Sequence, residues 1–226
     1  MSRYNIFNQI HKGLRAMLYE TALKLQHTDF QINDDAETTI AAVESALHIF
    51  HTHAHHEDSF VLPAIQKHDP SLVQAFEDEH VMDDSLAEQV SEKIGLLKSQ
   101  TTDSGKISAG YDLVQSFQDF IAFNLYHMNK EEDKINKVLW AHYSDNDLMQ
   151  ITHQIIENIP PAEMEIESVW MMKGLNNTEI TNWLKTVKQG APEFVFRQLL
   201  SQAEQALPLN RWNKVQESMT EGAMIA

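Results

Sequence analysis

Residues 43–64 read VESALHIFHTHAHHEDSFVLPA. Val43, Ala46, Phe50, Phe60 and Ala64 recur at the spacing of one face of an α-helix. Between Phe50 and Phe60 that face passes through His53 and Glu57. A core-facing stripe interrupted by an imidazole and, one turn later, a carboxylate places two metal-ligating groups inside the fold. The pattern predicts a helix over about 36–66, capped by Asp34 or Asp35, with Pro63 kinking or stopping it near its end.

The same reading extends outward. A first helix over about 3–25 carries Phe7, Leu14, Leu18 and Leu25, and His11 fills the missing slot of that stripe. Asp69-Pro70 supplies a cap and a first-turn proline for a third helix reaching about Lys98. Its stripe is Val73, Phe76, Leu86 or Ala87, Val90, Ile94 and Leu97, with His80 four residues beyond Phe76. After the polar linker SQTTDSGKIS, a fourth helix over about 107–141 carries Leu113, Phe117, Phe120, Ile135 and Val138, and its inner face passes through His127 and Glu131. Seven Gly and six Pro in 226 residues leave too few turns for a sandwich or barrel. The expectation is all-α: an up-down four-helix bundle over 1–144 and a C-terminal extension of shorter helices over 145–226. In that extension helices fall at about 146–158, 162–173, 178–189, 193–206 and 209–219, and Asn176 with Glu179 reads as a capping box.

His-x3-Glu alone is a weak signal. With 12 His in 226 residues about one match is expected by chance, and three occur. The third, His153 with Glu157, has no partner set and reads as the chance match. The strength lies in the combination of four helices, one inward His on each, and carboxylates on two of them. His11 precedes His53 by 42 residues and His80 precedes His127 by 47, so the bundle reads as two helical hairpins, each giving two His and one Glu. Six buried polar groups without partners would each cost about 1–3 kcal/mol, rivalling the roughly 5–15 kcal/mol stability of a domain. A metal pair converts that cost into bonds. His11, His53, His80 and His127 are the expected terminal ligands, two per ion, and Glu57 and Glu131 the bridges. Nitrogen and oxygen donors without sulfur suit iron, with manganese or zinc as alternatives. Open positions on two iron ions imply chemistry with a small gas or oxidant.

These residues resemble the hemerythrin-like, or HHE cation-binding, family: His11 in NQIHKGL, His53 and Glu57 in HAHHEDSFVLP, His80 in DEHVMDD, and His127 and Glu131 in HMNKEEDKI. The resemblance covers about residues 1–143 and implies a four-helix bundle with a non-haem di-iron site. Oxygen-carrying members place a second His four residues after the third-helix His; here that residue is Asp84, so the extra ligand is missing or replaced by a carboxylate. They also carry an Asp five residues after the fourth-helix His, where this chain has Glu132. Four His and two Glu look more like the bacterial repair-of-iron-centres proteins, although the cysteine-bearing N-terminal domain of those proteins has no counterpart. The C-terminal helices are similar to an extension of some bacterial HHE proteins. The resemblance implies binding of, or reaction with, O2, NO or a reactive oxygen species, in sensing or stress protection. A di-iron oxidase or peroxidase and a metal-dependent regulatory interaction protein are the competing classes.

The formal charge of −16 argues against nucleic acid and anionic membranes as partners. The absence of cysteine excludes disulfides, thiolate nucleophiles and cysteine-held clusters. No stretch approaches the roughly 20 apolar residues of a membrane span, and MSRYNIFNQIHKGLR has no hydrophobic signal core, so a cytoplasmic protein is expected. No glycine-rich phosphate loop is present. Of the remaining histidines on the second helix, His48, His51 and His55 read as solvated, and His56 as a neighbour of the ligands. Asn124 and Tyr126 read as packing or edge residues able to hydrogen-bond a bound gas.

Overall fold

The structure, a computed structural model, describes residues 3–220. Those residues are all-helical, with no strand among them. In order they form α1 (Asn8–His27), α2 (Asn33–His56), a π turn (Glu57–Val61), α3 (Leu62–Ile65), α4 (Pro70–Lys98) and α5 (Asp103–Lys130). A second π turn (Glu131–Ile135) leads into α6 (Asn136–His142), followed by α7 (Asp145–Asn158), α8 (Pro161–Gly174), α9 (Asn177–Gly190), α10 (Glu193–Ala206) and α11 (Leu209–Thr220).

Local chemistry sets the boundaries. Asp69 accepts from the Leu72 backbone N–H at 3.0 Å and Pro70 occupies the first turn, so α4 begins as expected. α1 starts at Asn8 rather than Arg3, because the Asn5 side chain accepts from the Phe7 N–H at 3.0 Å and turns the chain first. α5 starts at Asp103, four residues earlier than the linker composition suggests, because Thr102 accepts from the Gly105 N–H at 3.2 Å. Asp34 and Asp35 do not cap α2. They lie inside its first turn, where their charge suits the positive end of the helix dipole.

The π turns shift the buried stripes. The expected inner residues Phe60 and Ala64 are only half-buried, and the core positions belong to Val61 and Ile65. Likewise Val138 is half-buried and Leu139 is buried. Each π turn accommodates one extra residue, so everything after it moves by one position. Pro63 falls in the first turn of α3, just after the first π turn, and the helix runs past it to Ile65 rather than stopping there.

The chain divides into two compact units, residues up to Asn8 with Met17–Ile159, and residues 9–16 with those from Pro160 on. In the first, α4 packs on both α5 and α2. Phe7, Val61, Leu62, Ile65, Phe76, Ile135, Leu139 and Leu148 share one core, and Phe50 meets Phe120 edge to face at 5.4 Å between ring centroids. The Trp140 indole donates to Tyr4 O at 2.7 Å, the Tyr143 hydroxyl to Ala64 O at 2.7 Å, and the His68 and His142 rings stack at 3.7 Å. In the second unit Met172, Leu175, Ile180, Leu184, Ala203, Trp212 and Val215 pack together. Arg211 donates to Asn177 Oδ1 at 2.9 Å and to the carbonyls of Lys173 and Leu175, satisfying the C-terminal end of α8. The Asn176–Glu179 capping box forms as expected. Gly13 and Gly174 let two backbones approach closely: a Cβ on Gly174 would strike the Lys12 carbonyl.

Candidate metal centre

His53 sits one turn before the end of α2, and Glu57 is the first residue of the π turn that follows. His127 and Glu131 stand in the same relation at the end of α5. In both turns the backbone bond spans five residues, from Leu62 N–H to Glu57 O and from Asn136 N–H to Glu131 O. The turn lets each Glu share the inward direction of its His while the apolar residues beyond still reach the core. Such turns are rare and concentrate at functional sites.

The imidazole Nε2 atoms converge on the carboxylates. His127 Nε2 lies 2.9 Å from Glu131 Oε1, His53 Nε2 3.2 Å from Glu57 Oε1, and His80 Nε2 3.5 Å from Glu57 Oε2 and 3.8 Å from Glu131 Oε1. Glu57, His80, His127 and Glu131, all buried, each offer a ligand atom within 4.8 Å of the others. His11, His53, Glu57 and Glu131 form a second such group. The six residues picked from the sequence therefore fall into two groups of four that share both glutamates. His153 and Glu157, by contrast, are exposed on α7.

A further layer orients two of the histidines. Asp58 Oδ1 lies 2.7 Å from His80 Nδ1, and Glu79 Oε2 lies 2.8 Å from His127 Nδ1 while Lys130 holds the other Glu79 oxygen. Each carboxylate fixes the tautomer so that Nε2 faces inward, the arrangement that raises a ligand's basicity in metal sites. With Nδ1 occupied in this way, the inward Nε2 atoms and carboxylate oxygens bring electron pairs together, and positive charge has to lie among them. Protons can supply it: burial opposes charge on His80, but Asp58, Glu131 and Glu57 overcome that and push its pKa up to about 12. His127, against the same desolvation, is raised to about 9 by Glu131, Glu57 and Glu79. Burial and the neighbouring Glu57 charge work against ionised Glu131, yet His127 and His80 hold it below the usual carboxylate range. A metal ion satisfies the same donors. All-nitrogen-and-oxygen donors, buried and convergent, fit a first-row transition metal.

The ring walls are aromatic: Phe76 meets His127 edge-on at 5.5 Å and Phe123 stacks on it at 5.7 Å. Asp84, at the four-residue spacing from His80, points outward with 62% of its side chain exposed and contacts His51 Nδ1 at 3.1 Å. It is not among the inward donors. The buried acid on that helix is Asp83, only 5% exposed, which accepts from Asn124 Nδ2 at 2.5 Å. Sequence reading passed over Asp83, although it lies three residues after His80 and fills a slot of the same inner stripe. His56, the last residue of α2, is buried, whereas His48, His51, His55 and Tyr126 are exposed.

No family model, curated protein or solved structure matches this chain. Among the described residues no helix is long and apolar enough to cross a membrane.

Proposed function

We propose that residues 1–144 form a hemerythrin-like four-helix bundle that holds two non-haem iron ions and binds or reacts with O2, NO or a reactive oxygen species in the cytoplasm, the helices of 145–226 being an extension of it. The observation that carries this reading is the sharing of Glu57 and Glu131 by two four-residue donor groups. His80 and His127 would hold one ion and His11 and His53 the other, with Glu57 and Glu131 available to both. Two carboxylates and four neutral imidazoles give a pair of divalent ions partial charge balance inside a low-dielectric core, which neither the acids nor the cations would tolerate alone. Iron held there supplies redox activity and open coordination positions for a small molecule.

The protein's own groups do the rest. Asp58 and Glu79 lock the Nδ1 sides of His80 and His127, and Lys130 keeps Glu79 ionised against its burial. Phe76 and Phe123 exclude water from the His127 side of the centre. Metal analysis of chain produced in iron-replete cells tests the reading. About two iron atoms per chain are expected, and at least one is lost in His80→Ala. One zinc, no metal, or an unchanged iron content in that variant would refute it. Consumption of O2 or peroxide with a reductant then separates turnover from stoichiometric binding.

A further inference from the structure

Asp83 is a buried carboxyl for which the metal ligands leave no role. On α4 it follows His80 by three residues, and on the antiparallel α5 Asn124 precedes His127 by three. Both displacements run the same way along the helix pair, by about 4.5 Å at 1.5 Å per residue. The 2.5 Å bond from Asn124 Nδ2 to Asp83 Oδ1 places the two side chains at one level. Asn124 Nδ2 also donates to Phe120 O at 3.1 Å, which fixes the amide orientation. On the opposite side of the ligand level the α4 and α5 helices and the second π turn present Phe76 and Ile135, both apolar and buried. Beyond the pair lie Phe117 and Phe120, stacked and closed to solvent. At this level of the hairpin, on the side of the ligands away from Phe76 and Ile135, the buried polar side chains among the described residues are Asp83 and Asn124.

We infer that Asp83 and Asn124 form the polar wall of the ligand pocket at the metal centre, where the Asp83 hydroxyl donates a hydrogen bond to the outer atom of a small di- or triatomic ligand. The inference rests on the metal reading above. A buried carboxyl with an amide as its partner and no ion pair among the described residues is far cheaper to keep protonated than ionised. Burial is the largest influence on Asp83 and pushes it up from the ordinary carboxylate value, against the Asn124 bond and the nearby His127 and His80, which favour the ionised form. Asn124 donates to Oδ1, so the acid proton belongs on Oδ2, available to an acceptor. A ligand with a terminal acceptor atom, as in dioxygen and its reduced anions, gains that bond. A ligand with an apolar outer end does not, and would strand the acid.

Azide is a suitable probe, being triatomic, anionic and an acceptor at its outer nitrogen. The iron-loaded full chain is titrated with azide optically, and the bound azide stretch is recorded by infrared in H2O and D2O. A shift of the stretch in D2O is expected for the wild type. Asp83→Leu should weaken azide about tenfold or more at unchanged iron content, while Asp83→Asn, which keeps an N–H donor, stays within about threefold of wild type. Wild-type azide affinity in an iron-loaded Asp83→Leu, or no isotope shift in the wild type, overturns the inference. If Asp83→Leu does not fold, the wild-type isotope shift and its loss in Asn124→Leu decide in its place. A wild-type chain without iron refutes the metal reading itself, which the metal analysis registers separately.

Discussion

An isolated imidazole is largely neutral at pH 7, but His80 and His127 each face carboxylates on both ring nitrogens. In the metal-free protein their folded-state pKa values, about 12 and about 9, stand above the ordinary 6.5. Their contribution to stability is therefore complete below about 6.5 and is lost as pH climbs through 9 and beyond. Glu131, held low, contributes above its ordinary value near 4.5 and loses that contribution on acidification. Chelator-treated protein should melt highest between about pH 4.5 and 6.5 and at a clearly lower temperature at pH 9. Metal-loaded protein should not show the alkaline fall, because the ion replaces those protons. Thermal melts of both forms across that range check this, and parallel curves would count against it. Individual residues were legible in the sequence where they interrupted a stripe: His11, His53, His80, His127, Glu57 and Glu131 all stand where an apolar residue belongs. Asp83 interrupts a stripe too, but the four-residue ligand spacing drew attention to Asp84, which only the three-dimensional packing shows to face outward.

Helices were legible because propensity and caps act locally. Pro70, Asn176 with Glu179, and the prolines before α8 and α10 all mark true starts. The π turns were not. A one-residue slip leaves either Phe60 or Val61, and either Val138 or Leu139, able to serve as the next core position, and only packing selects the second of each. Close helix contacts were equally hidden, since a glycine inside a helix has no signature of its own. Gly174 is the sharper case, because a Cβ there would lie 2.1 Å from the Lys12 carbonyl oxygen, against 2.9 Å from the Met171 N for one on Gly13. Gly174→Ala should destabilise the second unit by about 1–3 kcal/mol through overpacking, despite alanine's better helix propensity. Denaturant melts followed by tryptophan fluorescence would read it, with Trp170, Trp183 and Trp212 in that unit as reporters. An unchanged or raised midpoint would mean the two backbones separate without penalty.

For the molecule as a whole the net charge of −16 sets how a cation arrives. A field of that sign concentrates metal ions near the surface and speeds their capture. Its reach shrinks from about 30 Å at 0.01 M salt to about 3 Å at 1 M. The rate of iron(II) uptake should therefore fall severalfold over that range, while the final metal content, set by buried donors, changes little. Stopped-flow uptake at several ionic strengths measures it, and a salt-independent rate would show that entry is limited by opening of the fold. The placement of the donors carries a further consequence. His53, Glu57 and His68 recur as His127, Glu131 and His142, each 74 residues on (53 to 127, 57 to 131, 68 to 142), with a π turn beginning at both glutamates. A cut between α3 and α4 leaves His11, His53 and Glu57 on one side and His80, His127 and Glu131 on the other, and each donor group borrows its second glutamate from across the cut. A shorter peptide carrying one such set, meeting its own duplicate, would offer the same exchange. The centre has the form of a dimer interface that a tandem doubling has made internal.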